Sequence, residues 1–316
     1  MLHLTGADIL REVNYLGLVN SLRKHHAAEA APITHVNVLS DGTANRFANL
    51  TAWLPDQAIA VKLVGAFPNN VRLKPPIPNL QGIVALFDGR DGRPLMTADG
   101  TALTYIKTAA DSALGADILA RLDPRTLLLV GAGGLAPHVI AAHRAVRPSI
   151  ERVIVWNRNR DKAEQVLHAI ADRSAEFLTV ATLDEAIAEA DIVSTVTSSE
   201  EPLVRGKLLK AGAHVDLIGS YQPEMRESDD DVLLRAGRVY MDTRKTYDRT
   251  GDLIQPMNAG VIDRDYIAAD LFELCSGKAS GRKSDQEITV FKNIGGGHLD
   301  LFVAMDLFKR FNPSHT

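Results

Sequence analysis

The sequence predicts an α/β protein of two domains, one a doubly wound parallel sheet and the other an α+β fold. Three observations predict it. At 316 residues the chain exceeds what one small core usually needs. From Thr126 onward, short apolar strands alternate with helical stretches, the pattern of a parallel sheet covered on both faces. Before that point the apolar runs are separated by turns rather than by helices.

The first region, from Met1 to about Arg93, opens with a helix and continues through "ITHVNVL", "ANLTAWL", "AIAVKLVGAF" and "QGIVALFD". The segments "SDGTANR" and "DGRDGRP" are rich in turn formers, so these strands read as largely antiparallel. "FPNNVRLKPPIPN" has too much proline for a helix or a central strand and reads as a loop. A long helix follows in "ALTYIKTAADSALGADILARL", with Pro124 beyond its end. The later strands are "TLLLVGA", "RVIVWNR", "EFLTVA", "ADIVSTVTS", "GAHVDLIGS" and "GRVYMDT". "LAPHVIAAHRAV" and "RDKAEQVLHAIADR" are helices between them. "EITVFKNIGGGHLDLFVAMDLFKRF" closes the pattern with a strand, a glycine turn and an amphipathic helix.

Composition narrows the function classes. Hydrophobic residues make up 46% and charged residues 23%, which is ordinary globular composition. A net charge of −4 without a long basic run argues against nucleic acid or an anionic membrane as partner. No apolar run reaches the roughly 20 residues of a membrane span. The single cysteine, Cys275, fits a reducing compartment, and "MLHLTGADILREV" lacks a signal-peptide layout, so the expected location is the cytoplasm. Neither HExxH nor CxxC occurs and the histidines lack ligand spacing, so no metal is expected.

The chemistry is most legible in "LLLVGAGGLA". A strand, then Gly131-Ala132-Gly133-Gly134-Leu135-Ala136, then a helix is the order that a Rossmann-type dinucleotide site requires. Gly131 allows the tight turn and Gly133 lets backbone approach a pyrophosphate. Gly134 and Leu135 lead into the helix N-terminus, which supplies N–H donors, and Ala136 permits close helix packing. The second strand selects the coenzyme. NAD sites place Asp or Glu at its end, whereas here Asn157 and Arg158 stand there, with Arg160 close behind. A guanidinium pairs well with a phosphate, so NADP(H) is the expected coenzyme, with NAD(H) the alternative.

These stretches, taken in order, resemble the ornithine cyclodeaminase/mu-crystallin family. The resemblance covers nearly the whole chain. It rests on "DGRPLMTADGTALTYIKTAADSALGADILAR", "VIVWNRNRDKAE", "ADIVSTVTSSEEPL", "GAHVDLIGSYQPEMRE" and "SGRKSDQEITVFKNIGGGHLDL". It implies a substrate-binding and dimerisation domain over 1–120, with the C-terminal helix 297–316 packing back on it, and a Rossmann domain over 121–296. It further implies an active site between the domains and a homodimer.

The resemblance also assigns roles to single positions. Lys62 matches the family's substrate lysine, and a lysine among apolar strand neighbours needs a partner such as a carboxylate. Lys107 stands where the family usually has an arginine touching cofactor and substrate, with Thr108 beside it as a pyrophosphate ligand. Thr195, Val196 and Thr197, after the fourth Rossmann strand, complete the cofactor candidates. Asn293 replaces a serine near the nicotinamide and can bond the ring's amide or the substrate. The usual early arginine is missing, leaving Arg46 or His35 as substitutes, with Asn37 nearby. Ser220 stands where ornithine cyclodeaminases carry a catalytic Asp, and a hydroxyl is a poor general base, so cyclodeamination is disfavoured. Lys62, Lys107 and Ser220 are the catalytic candidates. His298, opening the last helix, is a helix-start polar residue or a proton donor. The function expected is NAD(P)H-dependent reduction of imino acids, with cyclic ketimines such as pyrroline-2-carboxylate or piperideine-2-carboxylate as substrates. An alanine-dehydrogenase-like amino-acid dehydrogenase, an ornithine cyclodeaminase and a mu-crystallin-like NADP-dependent binding protein are the alternatives.

Overall fold

The computed structural model describes residues 1–316 apart from 171, 173 and 314–316. The chain divides into two compact units, Met1–Lys107 with Gly296–Thr316, and Thr108–Gly295. The division falls inside a helix, before the end that the sequence suggested for the first domain.

The first unit is built on a six-stranded sheet. Its elements are β1 (Leu2–Leu4), α1 (Gly6–Glu12), α2 (Tyr15–Ala27), β2 (Ile33–Ser40), β3 (Arg46–Leu54), β4 (Ala58–Ala66), β5 (Leu80–Asp88) and β6 (Pro94–Asp99). The order is β1-β6-β5-β4-β3-β2. The strands from β2 to β6 pair antiparallel, as the turn signals suggested. β1 runs parallel to β6, and neither was legible as a strand. β1 has three residues, too few to show a period, and β6 begins at a proline after a turn. α1 starts in a capping box, Thr5 with Asp8, and α2 starts at Asn14, whose side chain accepts the Gly17 N–H.

Strand alternation sorts this sheet into two faces. Ala52, Leu54, Ala58, Ala60, Lys62 and Val84 lie on the covered face. α10 (Gly297–Phe311) packs against β3, β4 and α2, and its residues from Gly297 to Ala304 are all buried. The opposite face presents Ile33, Leu39, Phe47, Trp53 and Ile83, all exposed.

α3 (Gly100–Leu119) begins in the first unit and continues into the second. The second unit then alternates β7 (Thr126–Val130), α4 (Ala136–Val146), β8 (Arg152–Trp156), α5 (Arg160–Ala169), β9 (Glu176–Thr179), α6 (Leu183–Glu189), β10 (Ile192–Thr195) and β11 (His214–Leu217). It continues with α7 (Asp230–Ala236), β12 (Val239–Met241), α8 (Gly251–Asn258), β13 (Ile267–Asp270), α9 (Leu271–Cys275) and β14 (Thr289–Lys292). The end of the helix expected through "IADR" includes residues outside those described. All eight strands are parallel, in the order β13-β12-β14-β11-β10-β7-β8-β9. From β7 the sheet grows one way through β8 and β9 and the other way through β10 and β11. This is the Rossmann arrangement, with the strand-order reversal between β7 and β10 marking the ligand end. β7, β10, β11 and β14 are buried at every position, as a sheet covered on both faces demands. β13 had no counterpart in the sequence reading, since "IAAD" lacks both β-branched density and alternation. Among the described residues, no helix is long and apolar enough to cross a membrane and no metal-binding group of three ligands occurs.

Candidate active site

In the first unit two lysines converge on one carboxylate. Lys62 projects from the middle of β4 on the covered face, Lys107 lies on α3, and Asp300 sits in the first turn of α10. Lys62 Nζ is 3.0 Å from Asp300 Oδ1 and 2.9 Å from Oδ2, and Lys107 Nζ is 3.0 Å from Oδ1. Lys107 also donates to the Gly296 carbonyl at 3.3 Å. Their exposures are 4%, 3% and 1%, so no ammonium here is snorkelling to water. The α10 N-terminus adds a favourable dipole for Asp300. Burial lowers the Lys62 pKa from 10.5 to about 8, Asp300 opposing that shift and Lys107 reinforcing it. With all three groups ionised the cluster carries one surplus positive charge in a nearly dry place. One further anion at this place would balance it.

The substitutes proposed for the missing arginine are not brought here. His35 pairs with Thr51 on the exposed face of the sheet, opposite to Lys62, and Asn37 shares that face. Arg46 has the same facing as Leu50, which pairs with Lys62, but lies four residues along β3, about 13 Å by strand rise. Its guanidinium donates to Ser40 Oγ at 2.9 Å and to the Thr43 and Asn45 carbonyls, bracing the β2–β3 turn. His298 is buried edge-on against His26 and Phe302 in an aromatic cluster.

In the second unit the glycine turn sits where the sequence placed it. Gly131 has φ +116°, and a Cβ there would stand 2.9 Å from Val196 Cγ2 and from the Val196 carbonyl oxygen. Only glycine meets both demands. A Cβ on Gly133 would meet nothing within 4 Å, so the turn is open on that side. α4 follows without a capping side chain, and its end is available to an anion. This fits a dinucleotide pyrophosphate.

At the end of β8, Asn157 donates to the Asn159 carbonyl and Arg160 pairs with Glu164 at 3.0 Å. Arg158 is exposed and has no ion pair among the described residues. Asn293 is buried after β14, its amide donating to the Thr108 carbonyl at 3.1 Å and to Ser112 Oγ at 3.0 Å. Ser112 in turn donates to Asp216, and Asn293 Oδ1 is left buried without a hydrogen bond among the described residues. Ser220 is fully buried, its hydroxyl donating to the Met225 carbonyl at 2.6 Å, so that group is engaged within its own loop.

The sequence reading missed Asp300 and the buried set Glu227, Asp252 and Lys292. Asp300 lies in "GGGHLDLFVA", where one acid among apolar helix residues was a readable sign of a buried partner. Lys292, within the apolar strand "TVFK", is the same kind of sign, and its Nζ meets Asp252 Oδ2 at 3.1 Å.

The ornithine cyclodeaminase/mu-crystallin family model matches residues 18–311. A Delta(1)-pyrroline-2-carboxylate reductase of Paracoccus denitrificans is 37% identical over 302 residues, spanning 95% of this chain and 94% of its own. The structure of Thermococcus litoralis Delta(1)-pyrroline-2-carboxylate reductase in complex with NADH and L-proline superposes with a TM-score of 0.92 at 28% identity, covering 100% of this chain and 98% of that one. The iminosuccinate reductase of Paracoccus denitrificans in complex with NAD+ gives a TM-score of 0.87 at 26% identity, with 99% and 97% covered. With its Rossmann sheet, glycine turn and buried lysine pair, the chain belongs to the ornithine cyclodeaminase/mu-crystallin family.

Proposed function

We propose that this protein is an NAD(P)H-dependent reductase of imino acids. Its substrates are cyclic ketimines such as pyrroline-2-carboxylate or piperideine-2-carboxylate, and its products the corresponding L-amino acids. The observation that carries this reading is the buried Lys62–Asp300–Lys107 cluster with its surplus positive charge. Full-length similarity to a pyrroline-2-carboxylate reductase supports it.

When bound, the dihydronicotinamide supplies the hydride that adds to the imine carbon while the nitrogen keeps a proton and becomes an amine. The residues of this chain supply position and charge. Lys62 and Lys107 hold the substrate carboxylate and draw electron density from the adjacent imine carbon. Asp300 keeps the two ammonium groups within reach of one anion. The imine reacts protonated, so no separate acid is required before hydride addition. Gly131, Gly133, Gly134 and Leu135 take the pyrophosphate, with Thr108, Thr195, Val196 and Thr197 as further coenzyme contacts. The open Oδ1 of Asn293 offers an acceptor to the nicotinamide carboxamide. Substrate binding thus falls to the first unit and coenzyme binding to the second.

Arg158, exposed just after β8 where NAD sites carry an acid, supports a preference for NADPH, with NADH accepted. The exposed apolar face of β2, β3 and β5 supports a homodimer through the first unit. The test is oxidation of NADPH and NADH with both cyclic ketimines, in the wild type and in Lys62→Ala. Turnover that collapses in the variant is expected. A purified protein that oxidises neither coenzyme with either ketimine overturns the reading.

A further inference from the structure

Glu227 is fully buried in the second unit, seven residues beyond Ser220, and its carboxylate gathers donors from two loops. Oε1 accepts the Thr197 N–H at 2.7 Å and the Thr197 hydroxyl at 2.8 Å. Oε2 accepts the Gly219 N–H at 2.6 Å and the Ser220 N–H at 3.2 Å. One carboxylate therefore ties the loop after β10 to the loop after β11. The loops touch as well: a Cβ on Gly219 would lie 1.9 Å from the Thr197 carbonyl oxygen. The tie reaches the glycine turn, because Val196 is the residue that a Cβ on Gly131 would strike.

The acid is itself held from behind. Asp252 Oδ1 accepts the backbone N–H of Glu227 at 2.8 Å and of Ser228 at 3.2 Å, while Asp252 Oδ2 pairs with Lys292. Burial and the nearby Asp252 carboxylate push Glu227 up, and Lys292 pulls against them. A core that needed only packing would be served by an apolar side chain here, since a buried carboxylate is costly. What an apolar residue cannot do is collect donors from two strand-end loops at once.

We infer that Glu227 is a positioning residue for the coenzyme, fixing through Thr197, Gly219 and Ser220 the floor against which the Gly131 turn holds the dinucleotide. The inference rests on the coenzyme-dependent reading above. It does not make Glu227 a ligand, and the acid acts through the loops that it joins.

Glu227→Gln keeps the shape but replaces one acceptor oxygen by an amide nitrogen, so one loop loses its partners. The experiment measures dissociation constants of NADPH and NADH by titration calorimetry, the two Michaelis constants, and the melting temperature of the coenzyme-free protein. The expected result is a coenzyme dissociation constant raised about tenfold or more, the size of losing a charge-assisted hydrogen bond. The imino-acid Michaelis constant at saturating coenzyme stays within about twofold, because the lysine pair lies in the other unit. A Glu227→Gln protein that melts lower yet binds coenzyme as the wild type does overturns the inference, since that is the signature of packing alone. If Glu227→Gln does not fold, Glu227→Asp keeps the charge but is one methylene too short to meet both loops, and it alters no coenzyme contact. A weakening in the same direction, about threefold, supports the inference, and an unchanged dissociation constant overturns it. A wild type that binds neither coenzyme sinks the reductase reading and this inference together. A wild type that binds, with variants equal to it, sinks the inference alone.

Discussion

Lys62 and Asp300 are separated by 238 positions and meet with Nζ 2.9 Å from Oδ2, each almost wholly buried. The strand supplies the cation, the last helix supplies the anion, and Lys107 makes the pair a triad with charge to spare.

That arrangement gives binding a defined pH limit. With the Lys62 pKa lowered to about 8, its ammonium is lost as pH rises through that value, and only the ammonium attracts a carboxylate. Affinity for a carboxylate ligand should fall up to tenfold per pH unit above about 8. Pyrrole-2-carboxylate, a planar analogue, serves as the probe, its inhibition constant measured from pH 6.5 to 9.5. Stability should move the other way. The folded pKa lies below the unfolded value of 10.5, so between these values the unfolded chain holds a proton that the folded one has released. This group then adds stability as pH rises, so its deprotonation weakens ligand binding without itself favouring unfolding. A flat inhibition profile would refute the assignment.

Removing the anion should cost more than removing a cation. Asp300→Ala leaves two ammonium groups facing each other in a dry site, and loss of one partner of a buried pair typically costs about 3–5 kcal/mol. Lys62→Met on that background should restore part of the loss by relieving the repulsion. Chemical denaturation of the two single variants and the double variant tests this coupling, which strict additivity would exclude.

Coenzyme choice should be movable at one residue. Arg158→Ala should lower kcat/KM for NADPH by about 10–100-fold, the range for a charged hydrogen-bonded contact, and leave NADH nearly unchanged. Equal losses with both coenzymes would place Arg158 outside any 2′-phosphate contact.

The apolar sheet face should be what holds two copies together. Trp53→Lys combined with Phe47→Asp should convert a dimer to a folded monomer in sedimentation velocity, because both side chains are exposed on that face. A dimer that survives both changes would move the interface elsewhere.

Much of the fold was legible because its signals are local. "TLLLVGAGGLA" carries strand, turn and helix in one stretch, and Gly131 has the positive φ that such a turn needs. The long antiparallel strands β2 to β5 stood out between turn formers. β1 and β13 did not, because three or four residues take their strand character from the neighbour they pair with. Lys62 was readable from its apolar surroundings. Asp300 was not joined to it, since a contact across 238 positions has no local spacing to betray it. Arg46 illustrates the reverse problem: its residue type suited a carboxylate, and its place at the hairpin turn gave the guanidinium other work.

The split first unit also sets an order of events during synthesis. Its sheet is made first, yet α10, which covers β3 and β4, is encoded after the whole of the second unit. At roughly 5–20 residues per second, the ribosome needs on the order of 10–40 seconds to make the intervening chain. Throughout that interval Ala52, Ala60 and Lys62 have no helix above them, and the lysine has no carboxylate to meet. The Rossmann unit, contiguous in sequence, is therefore free to fold before the unit that precedes it. Whatever guards the nascent chain must shield a sheet whose lid has not yet been translated.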